Sequence, residues 1–309
     1  MEVLLFVAVL LTIRSNPEWP LTHHIFLGIQ TQVIFCKSHS YFVTNNEMRS
    51  NKQAVLKESA KEQKDKSTDT TKIEYPANIT LSDWLLFFFS PTLVYELNFP
   101  RRKHFRPIYF LCHALMFIAN MFIQYMVVTE DIMPIITSNT HAPFIELYLQ
   151  LQMPLILMIM LMVFLLFESF PNALSELTLF ADREFYQDWW NATSVEEFYG
   201  KWLKPSYLFY YRHVLIVLQR EYGVSPSKAR AITNLVSSAM QELIMIMSFQ
   251  VYGLHLFKAQ LVATLWSFIQ FKYQPFNKET MNAIVLTGFL VGAPLLLTLY
   301  IRDFTQAYY

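Results

Sequence analysis

The hydrophobic and polar positions of this chain do not alternate along its length; they come in long blocks. Residues 107–129, 147–167 and 280–301 contain no Asp, Glu, Lys or Arg. At about 1.5 Å of rise per residue, each block is long enough as a helix to cross a hydrocarbon layer of about 30 Å. Shorter apolar blocks occupy residues 1–13, 21–43, 206–218 and 259–271. A further long one runs from Ala231 to Phe257, interrupted by Gln241 and Glu242, with His255 near its end. In lipid a segment must satisfy its own backbone groups, which an isolated helix does. The pattern predicts an all-α, polytopic transmembrane protein of about six to eight membrane segments.

The polar blocks divide the chain. Residues 48–72 are Lys, Glu, Asp, Ser and Thr with few large apolar side chains, so they bury too little to offset their ordering entropy and are expected to form a mobile linker. This gives N-terminal membrane segments over 1–47, a charged linker over 48–80 and a membrane core over 81–309. Arg49, Lys52, Lys57, Lys61, Lys64, Lys66 and Lys72 place the linker in the cytosol by the positive-inside tendency. Residues 81–100 are aromatic but carry Pro91 and Pro100, which predicts an interfacial elbow instead of a span. Glu130 and Asp131 are expected in a short loop between two spans. Met1 to Ile13 lacks a basic leader and a small-residue cleavage site, so it reads as a short first membrane segment.

Composition agrees with the pattern. Apolar residues make up 54% of 309, with 27 Phe, 14 Met and 6 Gly, and the mean hydropathy is +0.28. With 24 basic and 24 acidic residues the net charge is zero, which leaves no field to attract nucleic acid. Cys36 and Cys112 are too few for a disulfide framework, and His23-His24 lacks a third ligand at useful spacing, so no metal site is expected.

Candidate chemistry concentrates in the polar stretch after residue 167. It reads Asn172-Ala173-Leu174-Ser175-Glu176-Leu177, then Phe180-Ala181-Asp182-Arg183-Glu184, then Phe185-Tyr186-Gln187-Asp188-Trp189-Trp190-Asn191. Adjacent tryptophans are common in interfacial belts, but a belt does not call for Asp188 and Asn191 on either side. With Ser90-Pro91-Thr92-Leu93-Val94-Tyr95-Glu96-Leu97-Asn98-Phe99-Pro100 and Lys37-Ser38-His39-Ser40-Tyr41, this resembles the membrane-bound O-acyltransferases, in the branch of the acyl-CoA:diacylglycerol and acyl-CoA:cholesterol enzymes. The likeness runs from about residue 30 to residue 305. Ala181 to Tyr186, and Met281-Asn282-Ala283 to Tyr300, follow the diacylglycerol branch more closely than the sterol one.

That resemblance implies a multi-pass protein of the endoplasmic reticulum membrane. It would move a fatty acyl group from acyl-CoA to the hydroxyl of diacylglycerol or a sterol, with no metal or bound redox cofactor. Membrane lipid and a second copy of the chain are the other implied partners. Phe185, Tyr186, Asp188, Trp189, Trp190 and Asn191 would lie on the acyl-CoA side, with Arg212-His213 matching the family's Arg-His pair. The basic group Arg101, Arg102, Lys103 and Arg106 would face headgroups or CoA phosphates. The family's catalytic His-Glu pair falls at Gln241-Glu242, and Asn191 joins the implied catalytic set.

Acyl transfer to an alcohol calls for a base near neutral pKa in a dry site, which imidazole supplies. Gln241 does not titrate, though it can donate and accept hydrogen bonds. Losing a general base costs about 10²–10⁴-fold. Other departures from the family lie nearby: Gly292-Ala293-Pro294 for Gly-Gln-Pro, no Gln near Ala263 or Thr264, and Tyr207 in place of a histidine. His213 and His255 read as structural histidines, and His255 would lie about 21 Å from Gln241 on one straight helix. Glu242 is either a site residue or a structural partner for a neighbouring helix. Gln241 is expected to face an internal cavity beside Trp190, Asn191 and the 280–301 helix. Three classes stay open: an acyltransferase, a non-catalytic relative that binds lipid or acyl-CoA or pairs with an active subunit, and a transporter or channel. The last draws only on Glu242, and no inverted repeat accompanies it.

Overall fold

The computed structural model describes residues 2–59, 75–139, 142–273 and 276–308. Among these the regular structure is helical, with one isolated β-bridge between Arg101 and Phe180. The helices are α1 (Glu2–Arg14), α2 (Leu21–Ser59), α3 (Leu81–Phe89), α4 (Pro107–Ser138), α5 (Phe144–Leu177), α6 (Val195–Trp202), α7 (204–220), α8 (Pro226–Phe249), α9 (His255–Tyr273) and α10 (Lys278–Tyr308). Four of them, α4, α5, α8 and α10, are long and apolar enough to cross a membrane. The chain is an all-α multi-pass membrane protein. The six to eight segments expected from hydropathy include α1, α2 and α9. Of these α1 is only 13 residues long, while His23, His24, Gln30, Gln32 and Lys37 interrupt α2 and Lys258, Gln260 and Gln270 interrupt α9.

Three boundaries differ from the sequence reading. Residues 48–59 are not linker; they are the polar end of the 39-residue α2, where helix-forming Lys, Glu, Ala and Gln carry the pattern on. Residues 60–72, the rest of the predicted mobile stretch, lie outside the described residues. Glu130 and Asp131 are not in a loop but inside α4, in a π turn over Val127–Ile132. Another π turn, Leu165–Ser169, carries α5 on into Asn172–Leu177. Both have the same cause. Proline clashes with the carbonyl four residues back; for Pro134 and Pro171 these are Glu130 and Phe167, each inside a π turn that widens the helix there.

The third difference is the apolar run 231–257, which is not one helix. It stops at Phe249, where Gln250 turns left-handed (φ 56°) and its N–H caps the Ile246 carbonyl at 2.8 Å. The chain then reverses through Gly253 and Leu254 (φ 53°) into α9, which packs antiparallel to α8. A Cβ on Gly253 would come within 2.2 Å of His255 Nε2, so a larger residue there would displace the His255 side chain.

Helix α4 faces two ways. Ile108, Leu111, Leu115, Ile118 and Phe122 form an exposed stripe at helical spacing, while His113, Asn120 and Gln124 are buried. The opposite end of the α4–α5 pair forms an apolar core with α10 from Val127, Ile132, Leu147, Leu151 and Leu155 against Leu297 and Ile301. The elbow after α3 is tied to α2 by Lys37. The residue is 4% exposed, and its ammonium donates to the carbonyls of Phe87, Ser90 and Thr92 at 2.9, 2.7 and 2.8 Å. Three acceptors offset the cost of burying that charge. Tyr95 completes the joint: its N–H donates to Ser40 Oγ at 2.8 Å and its hydroxyl to Asp83 at 2.6 Å.

Candidate functional site

The tryptophan loop is built on a buried carboxylate. Glu176, at the end of α5 and fully buried, accepts from the Arg106 backbone N–H (2.8 Å) and from the guanidinium groups of Arg106 (2.9 Å) and Arg183 (2.5 Å). Both guanidinium groups also cover the Tyr109 ring, at 4.0 and 4.9 Å. Arg102 N–H to Leu179 O and Ala181 N–H to Pro100 O, at 2.8 and 2.9 Å, tie the elbow to the loop. Arg106 of the basic cluster therefore serves the fold directly.

Beyond Arg183 the chain is pinned to α6 and α7. The Phe185 carbonyl accepts from Lys204 N–H at 3.0 Å and Gln187 N–H donates to Lys201 O at 2.8 Å. Phe185 is buried, and Tyr186 stacks on Phe167 and donates to Glu168 at 3.3 Å. Asp188 pairs with Lys201 at 2.9 Å, and Glu184 pairs with Lys204. Lys201, with help from Asn191, holds the Asp188 carboxyl below the usual carboxylate range. Lys204 and Gln187 do the same for Glu184. Glu197 and Asp188 push the Lys201 ammonium up.

The adjacent tryptophans divide their work. Trp189 turns inward to Trp202, Phe289 and Phe198, with ring centroids 4.9, 5.6 and 6.0 Å away. Trp190 turns outward and is 46% exposed. Asn282 of α10 fastens the loop by donating to the carbonyls of Trp190 (2.8 Å) and Ala192 (2.9 Å). Asn191 is exposed, and its side chain donates to Asp188 at 3.4 Å. Ser194 caps α6 by accepting from Glu197 N–H at 3.1 Å.

Gln241 and Glu242 lie in α8 and face different partners. The Glu242 carboxyl is buried, accepts the Tyr300 hydroxyl at 2.8 Å and takes the Phe257 N–H at 2.9 Å. Tyr300 in turn accepts from Leu256 N–H at 2.9 Å. Two otherwise orphaned amides of the first turn of α9 are thereby met, and α8, α9 and α10 are joined at one point. Gln241 donates to Ser237 Oγ at 3.0 Å and accepts from Gln260 Nε2 at 2.6 Å. Sequence reasoning missed Gln260. Its only signal was that it stands three residues before Ala263, near where the resemblance implied a glutamine.

The same antiparallel register places Ser237 level with Thr264 and Asn234 level with Ser267. Polar side chains thus line the α8–α9 seam. At its outer end Asn234, Thr264, Ser267 and Arg230 border a cleft of about 40 Å³ that also touches Glu196 of α6; Arg230 pairs with Glu196 at 3.2 Å. Arg230 and Gln241 are eleven residues apart, so the seam runs about 16 Å inward from the cleft. Arg230 was not among the sequence candidates.

The candidates are not all brought together. Asn282 is level with Trp190 and Tyr300 with Glu242, and these two α10 residues lie eighteen positions apart, about 27 Å along the axis. Gln241 therefore does not sit beside Trp190 and Asn191; the seam separates them. Arg212 and His213 of α7 meet the elbow: Arg212 donates to the Tyr95 carbonyl at 3.2 Å, and His213 Nε2 lies 2.8 Å from Ser40 Oγ. His255, beyond the break after α8, pairs with Asp303 at 2.6 Å.

Residues 4–302 match the membrane-bound O-acyltransferase (MBOAT) family. The chain is 30% identical over 282 residues to human diacylglycerol O-acyltransferase 1, covering 88% of this chain and 56% of that protein. It is 28% identical over 312 residues to Glycine max diacylglycerol O-acyltransferase 1A, covering 97% and 60%. Against sterol O-acyltransferase 2 of Candida albicans it is 30% identical over 242 residues, covering 74% and 39%. The chain spans at most about three fifths of the length of these curated relatives.

Proposed function

The chain belongs to the membrane-bound O-acyltransferase family, and on that premise we propose that it transfers a fatty acyl group from acyl-CoA to a lipid hydroxyl, with diacylglycerol as acceptor and triacylglycerol as product. The observation that carries this reading is the polar α8–α9 seam running from Arg230 to Gln241. The pantetheine arm of acyl-CoA, a chain of amides and a hydroxyl ending in the thioester, has the chemistry such a seam pairs with. Its phosphates would remain outside, near Arg230 and the exposed Trp190–Asn191 edge of the loop. The acyl chain would lie in the apolar interior, and the protein would reside in the endoplasmic reticulum membrane.

In the reaction the acceptor hydroxyl oxygen attacks the thioester carbonyl carbon. The carbon–sulfur bond breaks, and the hydroxyl proton leaves with the CoA sulfur as thiol. Gln241 takes no proton in this step. Its amide N–H would donate to the carbonyl oxygen as charge develops there, a contribution whose loss elsewhere costs about 10²–10³-fold. Glu242, occupied by Tyr300 and Phe257, acts as a positioning residue.

A second reading has its own support: both ends of the Gln241 amide are already hydrogen-bonded within the protein, as in a relative that binds acyl-CoA without turning it over. The purified chain, given labelled oleoyl-CoA with diacylglycerol or with cholesterol, separates them. Labelled triacylglycerol and free CoA are the expected products, whereas sterol ester alone would move the acceptor to the other branch. Bound acyl-CoA with neither ester formed would replace the transferase reading with the non-catalytic one.

A further inference from the structure

Position 241 carries glutamine where the resemblance implies a histidine, and Ala263 and Thr264 stand where it implies a glutamine. Yet position 241 is not left without a partner. Gln260, 8% exposed, lies one helical turn beyond Phe257 on α9. The Glu242–Phe257 hydrogen bond sets the register of the two helices. With that register set, Gln260 Nε2 donates to Gln241 Oε1 at 2.6 Å and Gln241 Nε2 is aimed at Ser237 Oγ at 3.0 Å. One N–H of Gln241 is left over, directed by these two bonds.

We propose that Gln260 is the positioning residue for position 241, holding whichever hydrogen-bonding side chain stands there in one orientation within the α8–α9 seam. It deepens the transferase reading and rests on it: by fixing Gln241 Oε1, Gln260 decides where the remaining Gln241 N–H points. An unclamped amide rotates about its terminal torsion, which is broad, and would offer that donor in several directions. A donor preorganised toward developing charge is what such a reaction uses. Glu242 cannot take over this role, because Tyr300 and Phe257 hold its oxygens.

The clamp can be tested without turnover by using an imidazole as reporter. Gln241→His is made in the full chain, labelled with ¹⁵N-histidine in nanodiscs, alone and combined with Gln260→Leu or Gln260→Glu. The added ring signal is identified by difference from the parent protein. With Gln260 present one neutral tautomer is expected; with Gln260→Leu the ring should divide between two. With Gln260→Glu its titration should rise by about one to three pH units, as beside any close carboxylate. Thermal midpoints of all three variants establish that each is folded. The same ring spectrum and titration in all three would overturn the proposal, whether or not the protein transfers acyl groups. In a parent protein that does turn over, Gln260→Leu should lower kcat about tenfold or more with KM little changed. A KM effect alone would speak against positioning.

Discussion

Tyr300 and Glu242 join three helices of the core, α8, α9 and α10, through one buried hydrogen-bond cluster. The Tyr300 hydroxyl lies 2.8 Å from both Glu242 oxygens while accepting from Leu256 N–H. Tyr300→Phe removes the hydroxyl and leaves buried partners behind, which costs about 1–3 kcal/mol. Glu242→Gln keeps an acceptor and should cost less, whereas Glu242→Leu should cost at least as much as Tyr300→Phe. Unfolding midpoints in detergent check the order. If Glu242 is purely catalytic, Glu242→Leu will lower activity and leave the midpoint unchanged.

The α8–α9 return gives a second test. Gly253→Ala brings a Cβ within 2.2 Å of His255 Nε2 and 2.7 Å of Asp303 Oδ2, so the ion pair must move. A loss of about 1–3 kcal/mol is expected, as for other overpacked sites. Gly288→Ala is the control: nothing lies within 4 Å of its Cβ position, and a helical Gly→Ala change should be neutral or favourable by up to about 1 kcal/mol. Paired thermal melts decide this.

At the loop, structure and ligand contact can be separated. Asn282 carries two hydrogen bonds to the loop backbone, while the Asn191 side chain makes a long one to Asp188. Asn282→Ala should loosen residues 189–192 and raise their protease sensitivity. Asn191→Ala should leave protease sensitivity unchanged and weaken acyl-CoA binding several-fold in equilibrium titrations. Unaltered binding in Asn191→Ala would reduce the loop to an interfacial aromatic belt.

On the proposed transferase reading, Gln241→His supplies an imidazole base at that position and should raise the transfer rate about tenfold or more. Labelled-ester formation from oleoyl-CoA measures it. If the rate stays flat while the introduced ring is held in one tautomer, the missing function lies at Ala293 or Tyr207 and not at position 241.

The loop's ion pairs set a pH window. Glu184 and Asp188 have carboxyls held below their ordinary values. Their contribution is therefore present above the unfolded value of about 4 and is lost as pH falls through the folded one. Lys201 is raised, so its contribution is present below about 10.4 and fades only as pH climbs through the folded value. Limited proteolysis of residues 183–205 should be flat from about pH 5 to 9 and faster below about pH 4, with salt producing a smaller change in the same direction.

Much of this architecture was legible before any coordinates. A block without charge over 107–129 or 280–301 has one low-energy solution in lipid, and α4 and α10 adopt it. The loop motif was legible through its resemblance to a family, whereas the Asp188–Lys201 and Tyr186–Glu168 pairs that hold it, 13 and 18 residues apart, were not. The break after Phe249 was not, since Val251 and Leu254 keep the run apolar and a change of direction leaves hydropathy unaltered. Gln260 was not legible either, because its role depends on the α8–α9 register, which the distant Glu242–Phe257 contact sets. Nor could spacing show that Trp190 and Gln241 stand at opposite ends of a seam.

The π turn at Leu165–Ser169 holds one residue more than the α turn it replaces. Seen as coding sequence, it amounts to a one-codon insertion retained in the middle of a helix. Its effect is rotational: everything downstream is turned by about 100°, and that turn carries Glu176 under Arg106. Two kindred chains that differed by that codon would be nearly the same text, one letter apart in length. They would nevertheless present different sides of the same helix to their neighbours, and only one of them would have a floor for the tryptophan loop.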